Sequence, residues 1–267
     1  MASAPACTAI SGASLAALLW DVDGTLAETE LDGHRHAFNR AFAEEGLPFH
    51  WDAATYLELL AVSGGRERMQ AFLQKQEGKA PAPDRLDRLQ RRKQHHYGEL
   101  VRQGAVGLRS GVARLIAEAA AAGVPQAIVT TSGRAAVEAL LQGAGMPQRQ
   151  AFRFWICGED VARKKPDPEA YRLAIARLGL DPAAILAIED SRNGLQAATA
   201  AGLPCLITLS GSSRGEAGPD GHSGFEAARA VLDGLGEMDQ PLRVHRGPAC
   251  PGGRVTLAWL QQLIRER

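Results

Sequence analysis

Two aspartates, Asp21 and Asp23, are separated by a single residue at the end of an apolar run, and Gly24-Thr25 follows them directly. Alternate residues at a strand end share a face, so both carboxyl groups can reach one reacting atom. Like charges held close together in a partly dry site repel each other, which makes such a pair costly to keep. The pair therefore predicts a site where a cation meets an anionic reactant, such as Mg²⁺ and a phosphoryl group.

Three further sets of polar residues follow apolar runs later in the chain. They are Thr130-Thr131 after residues 126–129, Lys165 after residues 154–157, and Glu189-Asp190 after residues 185–188. Each run is predicted to be a buried strand, and parallel strands bring their carboxyl ends to one edge of a sheet. Carboxylates there supply oxygen ligands for Mg²⁺, while a hydroxyl and an ammonium supply donors for phosphoryl oxygens. In that setting Asp21 can attack phosphorus, and Asp23 can give or take the proton.

The elements that must position these residues are of two kinds. Between residues 28 and 104 the periodicity predicts helices only, beginning near His34, Ala53, Glu67 and Asp84. From Val106 onward helices and strands alternate, which is typical of a parallel sheet with helices on both faces. The predicted fold class is therefore α/β, a Rossmann-like parallel-sheet core with helices on both faces and a small all-α domain inserted after the first strand.

The domain boundaries follow from this change of pattern. Residues 1–16 are predicted to be a flexible N-terminal tail, residues 17–28 and 105–267 the catalytic core, and residues 29–104 the inserted helical domain. Within the core, residues 241–253 are predicted to be a loop and residues 256–265 an amphipathic helix.

The composition of the chain narrows the classes of molecule that we expect it to bind. The 30 Lys and Arg residues balance 30 Asp and Glu residues, so no net basic field is present to attract nucleic acid or a membrane surface. The four cysteines are far apart and lack the spacing of a zinc site. Residues 1–16 contain no Lys or Arg, which argues against a targeting peptide, and no apolar stretch is long enough to span a bilayer. We expect a cytoplasmic monomer whose partner is a small molecule.

The four sets of residues, in this order, resemble the motifs of the haloacid dehalogenase-like phosphohydrolase superfamily. More narrowly, residues 26–30, residues 34–39, residues 64–68 and Lys164-Lys165-Pro166 are similar to the CbbY type. The resemblance implies a Mg²⁺-dependent phosphatase that acts on a small phosphorylated sugar through an aspartyl-phosphate. The implied substrate is xylulose 1,5-bisphosphate or a related sugar bisphosphate.

The same resemblance implies a role for each matching residue. Asp21 is the expected nucleophile and Asp23 the general acid and base. Mg²⁺ is expected on the Asp21 carboxylate, the Asp23 backbone carbonyl and Asp190, with Glu189 close by. The inserted helices, residues 29–104, are similar to the small cap domain of that superfamily. Thr130 and Lys165 are expected to hold the transferring phosphoryl group. The other residues expected to bind substrate are Thr131, Glu28 near the cap hinge, and Gly65, Arg66 and Arg68 in the cap, where either arginine could hold a second phosphate.

Other interpretations stay open from the residues alone. A phosphosugar mutase of the β-phosphoglucomutase type would share the cap, both aspartates and the metal. A catalytically silent sugar-phosphate-binding regulator would keep the fold without the chemistry. A dehalogenase is disfavoured, because Asp23 would have no task in breaking a carbon–halogen bond.

Several nearby polar residues have ordinary structural interpretations. Lys164 is expected to be a surface lysine, and Lys93 is expected on the solvated face of a charged helix. His34 is expected to be structural or solvent-facing, with a role near the site as the alternative. Trp51 is expected to pack inside the protein.

Overall fold

The computed structural model describes residues 14–143 and 150–266. Its sheet has seven strands in the order β3-β2-β1-β4-β5-β6-β7, and neighbouring strands are parallel except for the antiparallel pair β6 and β7. The predicted tail, residues 1–16, falls outside the described residues up to residue 13. The strands are β1 Ala17–Trp20, β2 Gln126–Val129, β3 Phe152–Ile156, β4 Ile185–Glu189, β5 Cys205–Thr208, β6 Ala230–Leu232 and β7 Val244–Arg246.

Helices cover both faces of this sheet, as predicted. Leu18 and Trp20 on β1 pack into one hydrophobic cluster, and the alternate residues Ala17 and Leu19 pack into another on the opposite face. Helices α5, α6 and α9 contribute to the first cluster, and α7 and α8 to the second. Their bounds are α5 Val112–Ala121, α6 Arg134–Gly143, α7 Glu169–Leu178, α8 Arg192–Ala200 and α9 Leu257–Arg265.

The cap follows β1 and is helical, as predicted. All of residues 29–104 are described, and none of them lies in a strand. A cap core of aromatic residues holds these helices together, and Trp51 packs inside it between Phe38 and Phe72. The division of the chain at residues 29 and 104 stays a prediction. The cap comprises a π-helical turn Glu30–His34 and the helices α1 Arg35–Glu44, α2 Ala53–Leu59, α3 Gly65–Glu77 and α4 Pro83–Arg102.

The prediction of a loop over residues 241–253 is wrong in part, because this segment contains β7. Val231 pairs with Arg246 and Leu232 with Val244, so the segment covers the outer edge of β6. An uncovered edge leaves backbone donors and acceptors without partners, which favours pairing even for a weakly patterned segment. Among the described helices, none has the length and apolar character that crossing a bilayer requires.

Candidate active site

The predicted residues meet at the carboxyl edge of the sheet. Strand β1 is central, and Trp20 pairs with Ile128 of β2 and with Ile188 of β4. This register places Asp21, Thr130 and Glu189 at the ends of three adjacent strands. Lys165, from the segment after β3, reaches the same edge.

Lys165 bridges two of the acidic residues from a buried position. Its Nζ lies 2.7 Å from Asp21 Oδ1, 2.5 Å from Glu189 Oε1 and 2.8 Å from the carbonyl oxygen of Val129. Burial lowers the pKa of this ammonium, but the two carboxylates outweigh burial and hold its pKa above the ordinary lysine value. Lys165 is therefore a fixed positive charge beside Asp21. Tyr171 donates a further hydrogen bond to Glu189 and fixes that carboxylate.

Three buried carboxylates form a group that fits a divalent cation. One oxygen each from Asp21, Glu189 and Asp190 lies within 4.8 Å of the others. Burial raises the pKa of Asp21 well above the ordinary value, with Lys165 opposing the rise. Burial also raises the pKa of Asp190 to about 8, and the hydroxyl of Ser210 opposes it. One lysine cannot neutralise three buried carboxylates, and hard oxygen ligands suit Mg²⁺, so these residues fit the metal that the sequence predicts.

Asp23 faces a different set of partners. Its carboxylate accepts hydrogen bonds from Thr29 Oγ1 at 2.5 Å and from Ser132 Oγ, and His34 Nε2 lies 3.0 Å from Oδ1. Burial raises the pKa of Asp23, but the hydrogen bonds from His34 and from the two hydroxyl donors outweigh it, so the pKa is held below its usual range. Asp21 and Asp23 thus have opposite electrostatic environments. Of the partners of Asp23, His34 lies in the first turn of the cap, and Thr29 directly precedes that turn.

Lys93 fixes the orientation of the His34 ring. Its Nζ lies 3.0 Å from His34 Nδ1. An ammonium can only donate, so Nδ1 accepts and the ring proton sits on Nε2, directed at Asp23. For His34 the sequence left two interpretations open, and the structure places the ring at the site.

The prediction that Lys93 lies on a solvated helix face is wrong. Lys93 is buried, and burial lowers its pKa to about 8. A signal was present in the sequence, because Lys93 falls on an apolar stripe of α4 with a spacing of three or four residues. The stripe consists of Leu86, Leu89, Lys93, Tyr97 and Leu100.

The structure brings only some of the cap residues that were predicted to bind substrate to the cleft. Gly65 and Arg68 line the cleft between cap and core. The Arg68 guanidinium is buried and donates to Tyr56 Oη at 2.9 Å and to the Leu59 carbonyl at 3.2 Å. Arg66 instead pairs with Asp87 on α4 at 2.6 Å, and its side chain is 41% exposed. The structure therefore brings Arg68 to the cleft and does not bring Arg66 there.

Among the remaining predicted residues, Thr131 lines the cleft. Thr130 is buried, and its hydroxyl accepts the backbone N–H of Ser132 at 3.1 Å. Glu28 lies at the hinge, with one oxygen 3.0 Å from Arg109 Nε and the other accepting the backbone N–H of Gly211.

Two contacts close the cleft from its sides. Lys164 Nζ lies 2.6 Å from Glu67 Oε1 on α3, so this lysine joins core to cap and is not the simple surface lysine that the sequence suggested. Asn193 donates to Ser63 Oγ at 3.2 Å. The cleft has a volume of about 70 Å³ on the side of the carboxylates and about 30 Å³ on the side of His34. That is room for a few water molecules, so a phosphorylated sugar requires the cap to move.

The chain is similar to known proteins over most of its length. A family model described as haloacid dehalogenase-like hydrolase matches residues 15–202. Protein CbbY of Cereibacter sphaeroides is 43% identical over 223 residues, which cover 83% of this chain and 93% of that protein. A CBBY-like protein of Arabidopsis thaliana is 39% identical over 258 residues, covering 94% of this chain and 75% of that protein.

A solved structure agrees with these relatives. The crystal structure of a CbbY variant from Rhodobacter sphaeroides, in complex with xylulose 1,5-bisphosphate, has a TM-score of 0.75 and 42% sequence identity, covering 84% of this chain and 96% of that one. The chain therefore belongs to the haloacid dehalogenase-like hydrolase family, as a phosphatase of the CbbY type.

Proposed function

We propose that this protein is a Mg²⁺-dependent phosphatase that hydrolyses a small sugar bisphosphate, xylulose 1,5-bisphosphate or a close analogue, through an aspartyl-phosphate. The observation that carries the proposal is the arrangement around Asp21, which is paired with Lys165 and lies beside two more buried carboxylates, while Asp23 is held separately. The xylulose 1,5-bisphosphate bound by the Rhodobacter sphaeroides protein supports the choice of substrate.

The first half-reaction forms a bond from an Asp21 carboxylate oxygen to phosphorus and breaks the bond from phosphorus to the sugar oxygen. Asp23 gives its proton to that leaving oxygen. In the second half-reaction water attacks phosphorus, Asp23 takes the proton of the water, and the Asp21 carboxylate leaves. Lys165 and Thr130 hold the phosphoryl oxygens, with Thr131 at the cleft wall.

Mg²⁺, held by the Asp21 carboxylate, the Asp23 backbone carbonyl and Asp190 with Glu189 close by, would offset the repulsion between an anionic nucleophile and an anionic phosphoryl group. The raised pKa values of Asp21 and Asp190 support this assignment, because a nearby cation would lower both and leave Asp21 ionised.

The contacts of Asp23 support its separate task. Its hydrogen-bond donors favour the ionised carboxylate, which is the form that a base needs when water attacks. His34 comes from the cap and Thr29 directly precedes it, so cap movement changes the proton affinity of Asp23. Opening the cap removes the hydrogen bond of His34 and allows the carboxyl group to take up the proton that it later gives to the leaving oxygen.

The second phosphate of the substrate is proposed to lie on the cap side of the cleft. Gly65 and Arg68 line that side, and a guanidinium pairs with a phosphate through two parallel hydrogen bonds. Arg66 would first have to leave Asp87. Comparing kcat/KM for a bisphosphate and a monophosphate in Arg66→Ala and Arg68→Ala identifies which arginine acts.

The central test replaces the nucleophile. Asp21→Asn should abolish phosphate release from xylulose 1,5-bisphosphate in the presence of Mg²⁺, while Asp239→Asn, the same chemical change at an exposed position, should leave it intact. Turnover by Asp21→Asn at the wild-type rate would show the nucleophile assignment to be wrong. Analysing the sugar product in the same assay separates hydrolysis from a mutase reaction, and a wild-type protein that binds the sugar without turnover would be a silent regulator.

A further inference from the structure

Arg109 lies where the second linker returns from the cap to the core. Leu108 forms an antiparallel bridge with Ala27, and the backbone N–H of Arg109 donates to the Leu26 carbonyl at 2.9 Å. The two linkers therefore run side by side at the base of the cap. A side chain at this position can therefore contact both the hinge and the neighbouring segments of the core.

The guanidinium of Arg109 connects four separate segments. Its side chain is only 9% exposed, and Nε lies 3.0 Å from Glu28 Oε1. The two terminal nitrogens donate to backbone carbonyls, and with Glu28 these acceptors use the whole donor fork of the guanidinium. The acceptors are the carbonyl oxygens of Gly24, Thr208 (2.9 Å), Leu209 (2.6 Å) and Asp233 (3.2 Å), together with Thr208 Oγ1 at 3.1 Å.

Two of these segments hold Asp190 in place. Ser210 follows the Leu209 carbonyl that Arg109 binds, and its hydroxyl donates to Asp190 Oδ2 at 2.6 Å. On the other side, a Cβ added to Gly24 would lie 2.0 Å from the same Asp190 oxygen, so that carboxylate packs directly on the Gly24 turn. Arg109 thus anchors, from behind, both pieces of backbone that confine the Asp190 carboxylate.

Glu28 extends the same connection to the hinge. Its second carboxylate oxygen accepts the backbone N–H of Gly211, the residue after Ser210, at 3.1 Å. The hinge carboxylate therefore bonds to Arg109 with one oxygen and to the Ser210 loop with the other.

We propose that Arg109 is a positioning residue that holds the Gly24 turn, the Ser210 loop and Glu28 together, and so keeps Asp190 in place for the metal. The inference rests on the proposed function in one respect, because it takes Asp21, Glu189 and Asp190 as the Mg²⁺ site. Groups that orient metal ligands affect affinity by about 10- to 100-fold when they are removed.

The test measures Mg²⁺ binding to the full chain by calorimetry, without substrate. Arg109→Gln should raise the Kd for Mg²⁺ by about tenfold or more. Arg109→Lys should recover part of the loss, because an ammonium can still pair with Glu28 but cannot bind four carbonyl groups. The matched control is Arg114→Gln, since Arg114 also donates to backbone carbonyls, at 2.8 Å to Val255 and to Gly236, but these two carbonyl groups belong neither to the Gly24 turn nor to the Ser210 loop.

If Arg109 only stabilises the fold, Arg109→Gln will lower the melting temperature as Arg114→Gln does and leave the Kd for Mg²⁺ at its wild-type value, which overturns the proposal. Should Arg109→Gln fail to fold, Ser210→Ala removes the hydroxyl bound to Asp190 with the guanidinium intact. It should also weaken Mg²⁺ binding, and an unchanged Kd in that variant would count against the proposal. A wild-type protein that binds no Mg²⁺ would overturn the proposed metal site itself, an outcome distinct from wild-type binding with no effect of Arg109.

Discussion

Asp21 and Asp23 are two residues apart, yet their carboxylates have opposite environments. Asp21 shares a buried site with Lys165 and two other acids, where burial dominates and its pKa rises. Asp23 accepts hydrogen bonds from Thr29, His34 and Ser132, and these lower its pKa below the ordinary value. Groups that ionise differently in one site are suited to different tasks, which here are the proposed attack on phosphorus and the proposed proton transfer.

Asp190 leads to a prediction about pH. Its pKa of about 8 is above the value in an unfolded chain, so its contribution to stability is present at low pH and is lost as pH rises through 8. A cation that binds the ionised carboxylate should reverse this loss. We expect Mg²⁺ to raise the melting temperature more at about pH 8 than at about pH 5, measured against EDTA. Asp190→Asn should reduce this difference, and an equal effect of Mg²⁺ at both pH values would contradict the assignment.

Lys93 leads to a second prediction at this scale. Above its pKa of about 8 Lys93 is a neutral amine, which can accept a hydrogen bond from His34 Nδ1 as well as donate one. The ring proton of His34 is then no longer fixed on Nε2, the nitrogen that faces Asp23. We expect kcat/KM to fall above pH 8. Lys93→Met should lower kcat at neutral pH by about 10- to 100-fold and remove that alkaline fall. Arg91→Met, on the exposed side of the same helix, is the control, and an unaltered pH profile in Lys93→Met would refute the role.

At the scale of elements, the cap and the core meet through contacts that can be released. Helix α3 is joined to the core by the pair of Glu67 and Lys164, and the segment before it by Ser63 and Asn193. The cap also carries its own aromatic core, so it can move without unfolding. Since the closed cleft holds only a few water molecules, binding and release of a sugar phosphate depend on this movement.

Glu67 provides the test at the scale of elements. An exposed ion pair contributes up to about 1 kcal/mol, so Glu67→Gln should weaken the closed state and change kcat/KM by at most about fivefold. The wild-type rate should depend on salt more strongly than the rate of the variant. Glu77→Gln breaks a pair with Arg85 inside the cap and serves as the control. Identical salt dependence in both variants would show that the pair of Glu67 and Lys164 does not hold the cap.

At the scale of the whole molecule, the sheet brings together residues that are far apart in sequence. Asp21 and Lys165 are 144 positions apart and are joined at 2.7 Å. Two hydrophobic clusters, one on each face, hold the sheet rigid beneath them. Helix α9 lies on one face, and Leu260 is completely buried in its cluster.

Leu260→Ala therefore tests whether α9 is structural. Removing a fully buried leucine side chain should lower the free energy of unfolding by about 2–5 kcal/mol, measured by urea denaturation. The kcat of the folded fraction should not change, because α9 lies away from the carboxyl edge. Gln262→Ala, on the exposed side of α9, should alter stability by no more than about 0.5 kcal/mol. A loss of kcat in the folded Leu260→Ala protein would show that α9 acts on the site.

Much of the site was predictable because its signals are local. Asp21, Thr130 and Glu189 each come at the end of a short apolar run, and an apolar run that ends in a polar residue marks the end of a buried strand without knowledge of its neighbours. The switch from helices alone to alternating helices and strands likewise predicted the α/β core and its cap.

By itself the sequence determined which residues reach the carboxyl edge of the sheet, starting from the pair Asp21 and Asp23. Only the tertiary structure decided what surrounds them. Lys93 and His34 are 59 positions apart, and Arg109 and Gly24 are 85 positions apart. Periodicity reports the face of one element, whereas a hydrogen bond between two elements depends on how cap and core pack together. For that reason the hydrogen bonds that Asp23 accepts and the proposed anchoring of Asp190 by Arg109 emerge only in the folded chain.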